Sequence, residues 1–357
     1  MGNIPIKFKP NLIPNAPKDG SFDKTAFEAT IAKNGGIEEY IIFPKKDGCR
    51  MEFGLGPKVL TRSLKEPGSD LVKARFAKLN QVCLDNNIIL EGEFYMHGMP
   101  FNEIFRFFSK SDVTTQDYID ELTKMKEKKP EAFQEKYRGK DIKFLTTFHE
   151  DLECFAFDFI ITDRPDLIGF KERWQEAFKR LSLYSFEEMY LRMPDRMKPE
   201  SIEDLYSLYE FNLEQGYEGL VLTHSTHPYK FGRTTLNQGT LLKMKDDKNE
   251  YDGVILEVEE ATMVKDGVEK TVNELGRSKT SQLKADRIPS GMAKGFVVEF
   301  EGKGTFCVGL NGFDHAARKE LLDNKENYIG KSFKYTGMPP IKDFPRHAFF
   351  DSWRDEK

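Results

Sequence analysis

A lysine followed within five residues by an acid, a glycine and an arginine is the feature of this sequence best suited to chemistry. Residues 45–50 read KKDGCR and directly follow an apolar run at residues 40–43, so a strand would deliver Lys45 to its end. An amine attacks an electrophile only after losing a proton that it normally holds with a pKa of ~10.4, and burial or neighbouring cations lower that pKa. The other interpretation is a charged turn with Asp47 and Gly48 at its apex. A nucleophilic Lys45 therefore requires further charged groups nearby.

Two lysines separated by one residue could supply positive charge. Lys243 and Lys245 flank Met244 and follow two leucines. On a strand, residues i and i+2 point to the same side, so the two ammonium groups would converge while their apolar neighbours face the other way. Such a pair suits a triphosphate. The alternative is a strand face that is exposed to solvent and decorated with lysine.

Acidic residues stand at the ends of two apolar runs. Glu91 and Glu93 follow the run at residues 88–90, and Glu218 precedes the run at residues 219–222. In a cleft lined with lysine, such carboxylates could hold Mg²⁺ and a ribose hydroxyl. Each could instead be a solvated strand end.

Aromatic residues alternate with other residues at positions 153–159, where they are accompanied by Asp158. Most phenylalanines in such a run belong to a hydrophobic core. One of them could instead present the face of its ring to a purine.

Short strand-like runs and helix-like segments follow one another over the first two thirds of the chain. The strand-like runs are rich in Ile, Val and Phe and cover residues 39–43, 88–95, 153–161 and 219–222. The helix-like segments cover residues 23–32, 70–84, 165–181 and 201–215, the last with Ser201 as its N-cap. Because the strands and helices lack a strict βαβ rhythm, we predict the α+β class.

A change of pattern after residue 245 predicts a second domain. A short charged linker at residues 246–249 is followed by further β-like runs and one helix-like stretch. The β-like runs cover residues 253–258, 295–300, 305–310 and 332–335, and the helix-like stretch covers residues 315–323. This pattern suits a small β-barrel such as an OB-fold. We therefore predict domains at residues 1–245 and 246–357, with the charged residues 114–148 as a surface insertion in the first.

The overall composition limits the classes of function. A net charge of -5 over 357 residues argues against a protein that coats nucleic acid by bulk electrostatics, so any DNA site must be a local basic surface. Residues 124–143 and 265–287 could supply one, and solvated segments are the alternative. The four cysteines lie far apart, which suggests neither a zinc site nor a disulfide framework. Without a run of ~20 apolar residues, we expect a cytoplasmic protein with no membrane partner.

In their order along the chain, these motifs resemble those of the covalent nucleotidyltransferase superfamily, which comprises DNA ligases, RNA ligases and mRNA capping enzymes. The matches are K-x-D-G-x-R at residues 45–50, small-residue-Arg at Thr61-Arg62, D/E-G-E at residues 91–93, F-D at residues 157–158, E-G-hydrophobic at residues 218–221 and K-x-K at residues 243–245. The last four residues, RDEK, resemble the R-x-D/E-K ending of ATP-dependent DNA ligases. The chain thus resembles a small phage or viral ATP-dependent DNA ligase, with an adenylation domain followed by an OB-fold.

The resemblance implies a role for each matching residue. Lys45 would attack the α-phosphate of ATP, and AMP would then pass from the lysine to the 5′-phosphate of nicked duplex DNA before the 3′-hydroxyl seals the break. The implied contacts are Arg50 and Glu93 to the ribose, Phe157 to adenine, Lys243, Lys245, Arg354 and Lys357 to the phosphates, Glu218 with Asp158 or Asp47 to Mg²⁺ (or Mn²⁺), and Arg62 to the nick. A hinge near residues 246–249 would let the barrel face ATP first and DNA afterwards. We expect a monomer without an obligate protein partner, acting in DNA replication, repair or recombination.

Two positions depart from the pattern of the family. Phe43 stands where many relatives carry a polar group that recognises adenine, and Thr223 stands where the E-G motif often ends in lysine. An RNA ligase and a non-catalytic nick-binding protein remain alternatives, although intact Lys45 and Glu218 argue against the second. An NAD-dependent ligase is disfavoured because zinc-type cysteines and a preceding nicotinamide-recognition domain are absent from the sequence.

Overall fold

The computed structural model describes residues 24–137, 139–245, 249–269, 271–272, 274, 278–281, 283–338 and 344–354. Within these residues the chain forms two compact units, which divide between residues 245 and 246. The hinge expected near residues 246–249 falls almost entirely on residues 246–248, which lie outside the described residues. No helix in the described ranges is both long enough and apolar enough to cross a membrane.

The first unit mixes helices and strands, as the predicted α+β class requires. Its helices are α1 (Lys24–Lys33), α2 (Asp70–Asp85), α3 (Phe101–Ser109), α4 (Gln116–Lys128), α5 (Pro130–Tyr137), α6 (Ile142–Thr146), α7 (Phe170–Leu181) and α8 (Ile202–Glu214). Its strands are β1 (Tyr40–Lys45), β2 (Cys49–Phe53), β3 (Leu60–Thr61), β4 (Ile88–Tyr95), β5 (Glu153–Ile161), β6 (Leu191–Arg192), β7 (Gly219–His224) and β8 (Leu241–Met244). The predicted cap of α8 is confirmed, because the Ser201 hydroxyl accepts a hydrogen bond from the backbone N–H of Asp204 at 3.0 Å.

Two sheets organise this unit. One has three strands in the order β1-β7-β8, and the other has five in the order β3-β2-β4-β5-β6. Behind the three-stranded sheet, Phe27 and Ile31 of α1 and Leu205 of α8 share a buried cluster with its apolar residues. Against the five-stranded sheet, the larger cluster includes Phe76 of α2 and Trp174 of α7. Each sheet thus has a helix-covered apolar side, which fixes the position of its strands.

The charged segment at residues 114–148 forms helices α4 to α6 rather than an irregular loop. Leu122, Phe133, Tyr137 and Leu145 make a small buried cluster of their own. Phe144 packs against both this cluster and the main one. The helical period was hidden because charged residues outnumber the few apolar positions of α4 and α5.

The second unit is built on one six-stranded sheet. Its elements are β9 (Asn249–Val254), β10 (Glu257–Val264), β11 (Thr271–Val272), β12 (Ser278–Lys279), β13 (Arg287–Glu299), β14 (Thr305–Gly309), α9 (His315–Asp323), β15 (Ser332–Met338) and β16 (Arg346–Trp353). The sheet has the order β10-β13-β14-β16-β15-β9. This arrangement is consistent with the predicted OB-fold, although strand pairing among the described residues does not close the sheet into a barrel.

Helix α9 covers the same residues as its prediction, whereas the strands differ from theirs. The run predicted at residues 253–258 is interrupted, because β9 ends at Val254 and β10 begins at Glu257. Strand β13 begins at Arg287, eight positions before the prediction, and β16 was not predicted at all. The core between these strands is aromatic, with Phe296 and Phe333 fully buried.

We expect Phe333→Ala to destabilise the second unit by about 3–5 kcal/mol, because truncation of a buried phenylalanine leaves a cavity. The Phe333 ring is 0% exposed and packs against Phe296 and Phe350 at centroid distances of 5.2 and 5.6 Å. Urea unfolding followed by circular dichroism measures the loss. Phe349→Ala is the matched control, since this ring on β16 is 37% exposed and should lose much less. Equal losses would contradict this description of the core.

Candidate active site

The inner face of the three-stranded sheet carries lysines at one end. The antiparallel register places Lys45 opposite Gly219, and it places Val221 between Phe43 and Lys243. Because alternate residues of a strand share a face, Lys45, Phe43 and Lys243 lie on the same side of the sheet. The register that the sequence requires for convergent lysines is therefore present.

The same face becomes apolar away from Lys45. One row beyond Val221, Thr223 pairs with Ile41 on one side and with Leu241 on the other. Thr223 is thus the polar member of an otherwise aliphatic row. This face is therefore charged at the Lys45 end, which suits phosphates, and apolar at the Thr223 end, which suits an aromatic base.

Glu218 lies between two of the lysines. Its Oε2 atom contacts Lys45 Nζ, and its Oε1 atom lies 2.5 Å from Lys245 Nζ. Gly219 allows the backbones of β7 and β8 to lie close together next to Glu218. Its φ is 137°, and a Cβ there would lie 2.1 Å from the carbonyl oxygen of Met244. Burial acts to raise the pKa of Glu218, but the ammonium groups of Lys45 and Lys245 outweigh it and hold that pKa below its usual value. Glu218 is therefore an ionised bridge between two cations.

The lysines of the K-x-K motif are held in a partly desolvated place. Burial is the first cause that lowers the pKa of both Lys243 and Lys245, and the charge of Lys45 lowers both further. Glu218 opposes these effects for each lysine. The positive charge at this end of the face is thus concentrated and only partly neutralised.

Arg50 dominates the facing wall, which belongs to the five-stranded sheet. It pairs across the sheet with Glu93 and forms ion pairs with Glu52, at 3.1 Å from Nε, and with Glu91. Its guanidinium carbon lies 4.6 Å from the ring centroid of Phe157. Arg50 therefore connects the acids of β2 and β4 to the aromatic residue of β5.

Glu93 is a buried acid of this wall with a raised pKa. Burial raises its pKa to about 7, with further upward contributions from Glu218 and Asp47, while Lys45 and Arg50 act in the opposite direction. A carboxyl with such a pKa changes its charge within the physiological range.

Phe157 faces the cleft because of a bulge in β5. Strand pairing runs from Glu91 with Asp158 directly to Gly92 with Ala156, so Phe157 has no opposite partner on β4. A bulge of this kind shifts the alternation of side chains along a strand. Two residues further on, Phe159 is fully buried against α7, with its ring 5.1 Å from that of Trp174.

The two walls enclose one pocket within the first unit. Its lining includes Lys45 and Val221 from the three-stranded sheet and Arg50, Glu93 and Phe157 from the five-stranded sheet. Five residues from four motifs thus meet in one place, although Lys45 and Val221 are 176 positions apart in the sequence. The pocket contains cations, a carboxyl group with a pKa of about 7 and an aromatic ring, and groups of these kinds can bind a nucleotide.

Lys46 has different surroundings from its neighbour. Its Nζ atom lies 4.5 Å from the ring centroid of Phe155 and 5.4 Å from that of Tyr217. Burial lowers its pKa to about 8, and Asp195 and Glu93 oppose this shift. Lys46 is therefore held against aromatic rings, whereas Lys45 contacts Glu218.

The three acids predicted as metal ligands are not gathered into a cluster. Both carboxylate oxygens of Asp158 accept hydrogen bonds from Arg173 Nη2, at 3.0 and 3.3 Å, and this acid is 5% exposed. Asp47 lies in the turn between β1 and β2, while Glu218 contacts Lys45 and Lys245. Within the part of the chain that the structure describes, no group of three His, Cys, Asp or Glu could hold a metal ion. The contacts of Asp158 favour a structural role for it.

Two of the predicted phosphate and DNA contacts, Arg62 and Arg354, lie on the surface. Arg62 follows β3 and is exposed. Arg354 belongs to the second unit, where its Nε atom lies 2.6 Å from Asp252. Lys357 lies outside the described residues.

Sequence reasoning missed Glu52, Arg173 and Tyr229. Tyr229 donates a hydrogen bond from its hydroxyl to Glu91 at 2.6 Å. Glu52 could have been found, because it follows Arg50 by two positions and alternate strand residues share a face. Arg173 and Tyr229 carry no local signal, since their partners are distant in sequence.

Comparisons with known proteins agree with this geometry. A family model described as ATP dependent DNA ligase domain matches residues 24–245. The fold is similar to that of a Lig E DNA ligase, with 17% identity, 90% of this chain and 95% of that chain covered, and a TM-score of 0.56. No curated protein sequence matches the chain.

Two viral enzymes are also similar over their whole lengths. The Chlorella virus DNA ligase-adenylate shares 18% identity over 97% of this chain and 99% of that chain, with a TM-score of 0.43. The ATP-dependent DNA ligase of bacteriophage T7, solved in complex with ATP, shares 18% identity over 98% of each chain, with a TM-score of 0.45. The family model alone covers more than half of the chain, which confirms the resemblance drawn from the motifs. This chain is a member of the ATP-dependent DNA ligase family.

Proposed function

We propose that this ligase seals nicks in duplex DNA by forming a covalent Lys45-AMP and passing the AMP to the 5′-phosphate at the nick. The observation that carries the proposal is the position of Lys45. Its amine lies at the charged end of a pocket that also holds Glu93, Arg50 and Phe157. Membership of the family implies the use of ATP and a DNA partner.

The first step is attack by the Lys45 amine on the α-phosphorus of ATP. The N–P bond forms as the bond to pyrophosphate breaks, and the amine loses a proton. The Glu218 carboxylate contacts Nζ directly and is placed to accept that proton or orient the amine. Lys243 and Lys245 would stabilise the charge that develops on the phosphates. Arg354 and Lys357 are proposed to act on the pyrophosphate.

The nucleoside would occupy the remainder of the pocket. Arg50 and Glu93 are proposed to contact the ribose, and Phe157 is proposed to stack on adenine. Phe43 is packed against Trp174 with ring centroids 5.5 Å apart, so it offers no polar group to the base. Selection of the purine would then depend on backbone contacts and on shape.

A divalent cation is proposed to bind with the phosphates. Mg²⁺ commonly binds through one or two carboxylates together with substrate phosphates and water, so a cluster of three acids is not required. Glu218 fits this role, because it is an ionised carboxylate at the phosphate end of the pocket. Asp47 remains a second candidate, whereas Asp158 is engaged by Arg173. When bound, Mg²⁺ (or Mn²⁺) would neutralise phosphate charge.

In the later steps AMP is transferred to the 5′-phosphate of the nick, and the 3′-hydroxyl then attacks that phosphate and expels AMP. Arg62 is proposed to contact the phosphates at the nick. The enzyme is proposed to act as a monomer in the cytoplasm. Each of these assignments extends the family activity to this chain.

Incubation with α-labelled ATP and Mg²⁺ tests the nucleophile. Wild type and Lys46→Ala should take up label, and Lys45→Ala should take up none, because the Lys45 amine lines the pocket and contacts Glu218, whereas the Lys46 amine is held against the Phe155 ring. Chasing the labelled protein with nicked DNA should discharge the label and seal the strand. Label on Lys45→Ala would contradict the assignment, and discharge on nicked RNA alone would indicate an RNA ligase.

The affinity for ATP should depend on pH through Glu93, whose pKa of about 7 reflects its burial. The ionised carboxylate accepts a hydrogen bond from a ribose hydroxyl, and protonation below that pKa removes one acceptor. Between pH ~8 and ~6 the wild-type affinity for a non-hydrolysable ATP analogue should fall up to about tenfold.

Glu93→Gln is the control for this pH dependence, because its amide does not titrate. Calorimetry over the same pH range should show only the weaker dependence that the phosphates of the nucleotide contribute. Parallel pH profiles for wild type and Glu93→Gln would show that Glu93 does not contact the ribose in the proposed way.

A further inference from the structure

Two carboxyl groups lie side by side next to Arg50, both almost fully buried, and Glu91 of the pair also lines the pocket. Strands β2 and β4 place Glu52 directly opposite Glu91. Glu52 is 0% exposed and Glu91 is 1% exposed. Like charges that face each other across a sheet repel, and burial removes the water that would screen them. The pair is therefore stable only if nearby positive charge balances both carboxylates or if one carboxylate binds a proton.

The positive charge at this pair comes from Arg50. Its guanidinium contacts Glu52 through Nε and Glu91 through Nη2. Asp158 of β5 adds negative charge beside Glu91, and Tyr229 donates a hydrogen bond to Glu91. Leu60 of β3 lies opposite Glu52 on the remaining side and carries no charge. The Arg50 guanidinium thus offsets the charge of both carboxyl groups, while the nearby Asp158 carboxylate adds negative charge.

The two carboxyl groups are cross-strand neighbours, and the nearness of Glu91 raises the pKa of Glu52. Two ionised carboxylates have only acceptors, so a hydrogen bond between them requires a proton. Glu91 already accepts hydrogen bonds from Arg50 and from the Tyr229 hydroxyl. The Oε2 atom of Glu52, by contrast, is buried and receives no donor.

These contacts decide which group carries the proton. Burial raises the pKa of both acids, and both accept hydrogen bonds from Arg50. Glu91 of the pair also accepts a hydrogen bond from the Tyr229 hydroxyl, which stabilises its ionised form and identifies Glu91 as the ionised partner. Burial, followed by the proximity of Glu91, raises the pKa of Glu52 well above its ordinary value, and Arg50 only partly opposes this.

We propose that Glu52 is a neutral carboxylic acid that donates a hydrogen bond to Glu91 and thereby positions Arg50 over Phe157 for nucleotide binding. Glu52 does not line the pocket, so it acts through Arg50 and is a positioning residue. With Glu52 neutral, Arg50 forms its charged pair with Glu91 and remains 4.6 Å from the Phe157 ring centroid. The inference rests on the proposed adenylation of Lys45, because the effect of Glu52 on the KM for ATP is measured in that reaction.

Substitution of Glu52 by Gln and by Ala separates a neutral donor from an ionised partner. The amide of Glu52→Gln can still donate to Glu91 and accept from Arg50, so the KM for ATP in self-adenylation should stay within about twofold of wild type. Glu52→Ala leaves both partners without that contact, so KM should rise about tenfold or more, with a smaller change in kcat.

Glu103→Ala is the matched control for the general effect of removing a buried glutamate. Glu103 is 6% exposed, forms an ion pair with Arg106 and lies outside the pocket lining. This variant should lose stability without the rise in KM that Glu52→Ala shows. An equal rise in KM for both alanine variants would overturn the positioning role.

Infrared spectroscopy of the nucleotide-free enzyme at neutral pH gives a readout that does not depend on activity. The wild type should show a stronger C=O stretch of protonated carboxylic acid than Glu52→Gln, and the difference spectrum of the two should contain this band, because subtraction removes the contribution of Glu93 with its pKa of about 7. Absence of this band, or a Glu52→Gln variant as impaired as Glu52→Ala, would overturn the proposal by showing that Glu52 is ionised. If wild type takes no label from ATP, the proposed function fails while the infrared band still reports the state of Glu52.

Discussion

The balance of charge around Glu218 is the constraint on which the first unit depends. Lys45, Lys243 and Lys245 converge in a partly buried place, where repulsion between like charges is screened less than in water. The Glu218 carboxylate contacts two of these lysines and offsets that repulsion. A shift of one residue in strand pairing would turn the lysines of β1 and β8 to the opposite face. The apolar packing behind the sheet therefore fixes the positions of the charges in front of it.

The facing wall has the opposite character. Its ionisable side chains are mostly acids, and Arg50 and Arg173 are the cations that hold them in place. In the proposed function, a nucleotide between the two walls would direct its phosphates towards the lysines and its ribose hydroxyls towards the acids. The separation of charge across the cleft would then orient the nucleotide.

Much of the fold and of the pocket was predictable because the signals are local. The strand-like runs and the motifs at Lys45, Glu93, Glu218 and Lys243 each depend on a few neighbouring residues. Lys45 and Glu93 line the pocket, and Glu218 and Lys243 lie near Lys45. Contacts between distant residues were not predictable. The engagement of Asp158 by Arg173 is an example, since its carboxylate looks like a metal ligand in sequence and is a buried partner in the structure.

The second unit shows the same limit. Helix α9 has an N-cap and a helical period, and its prediction is confirmed. Strand β16 mixes exposed and buried positions, contains charged residues and pairs in parallel with β14 as well as antiparallel with β15. Its place in the sheet is set by these partners rather than by its own pattern, so a local prediction missed it.

The bulge in β5 lets Phe157 line the pocket while Phe159 packs in the core, two positions that a regular strand would place on the same face. In uninterrupted alternation Phe157 and Phe159 would share a face, and a change in one would disturb the surroundings of the other. Here one ring faces the cleft and the other packs against α7. Phe157, which is proposed to stack on adenine, can therefore diverge, in evolution or by engineering, without a compensating change in the core. If it stacks on the base as proposed, the nucleotide preference can change while the scaffold is kept.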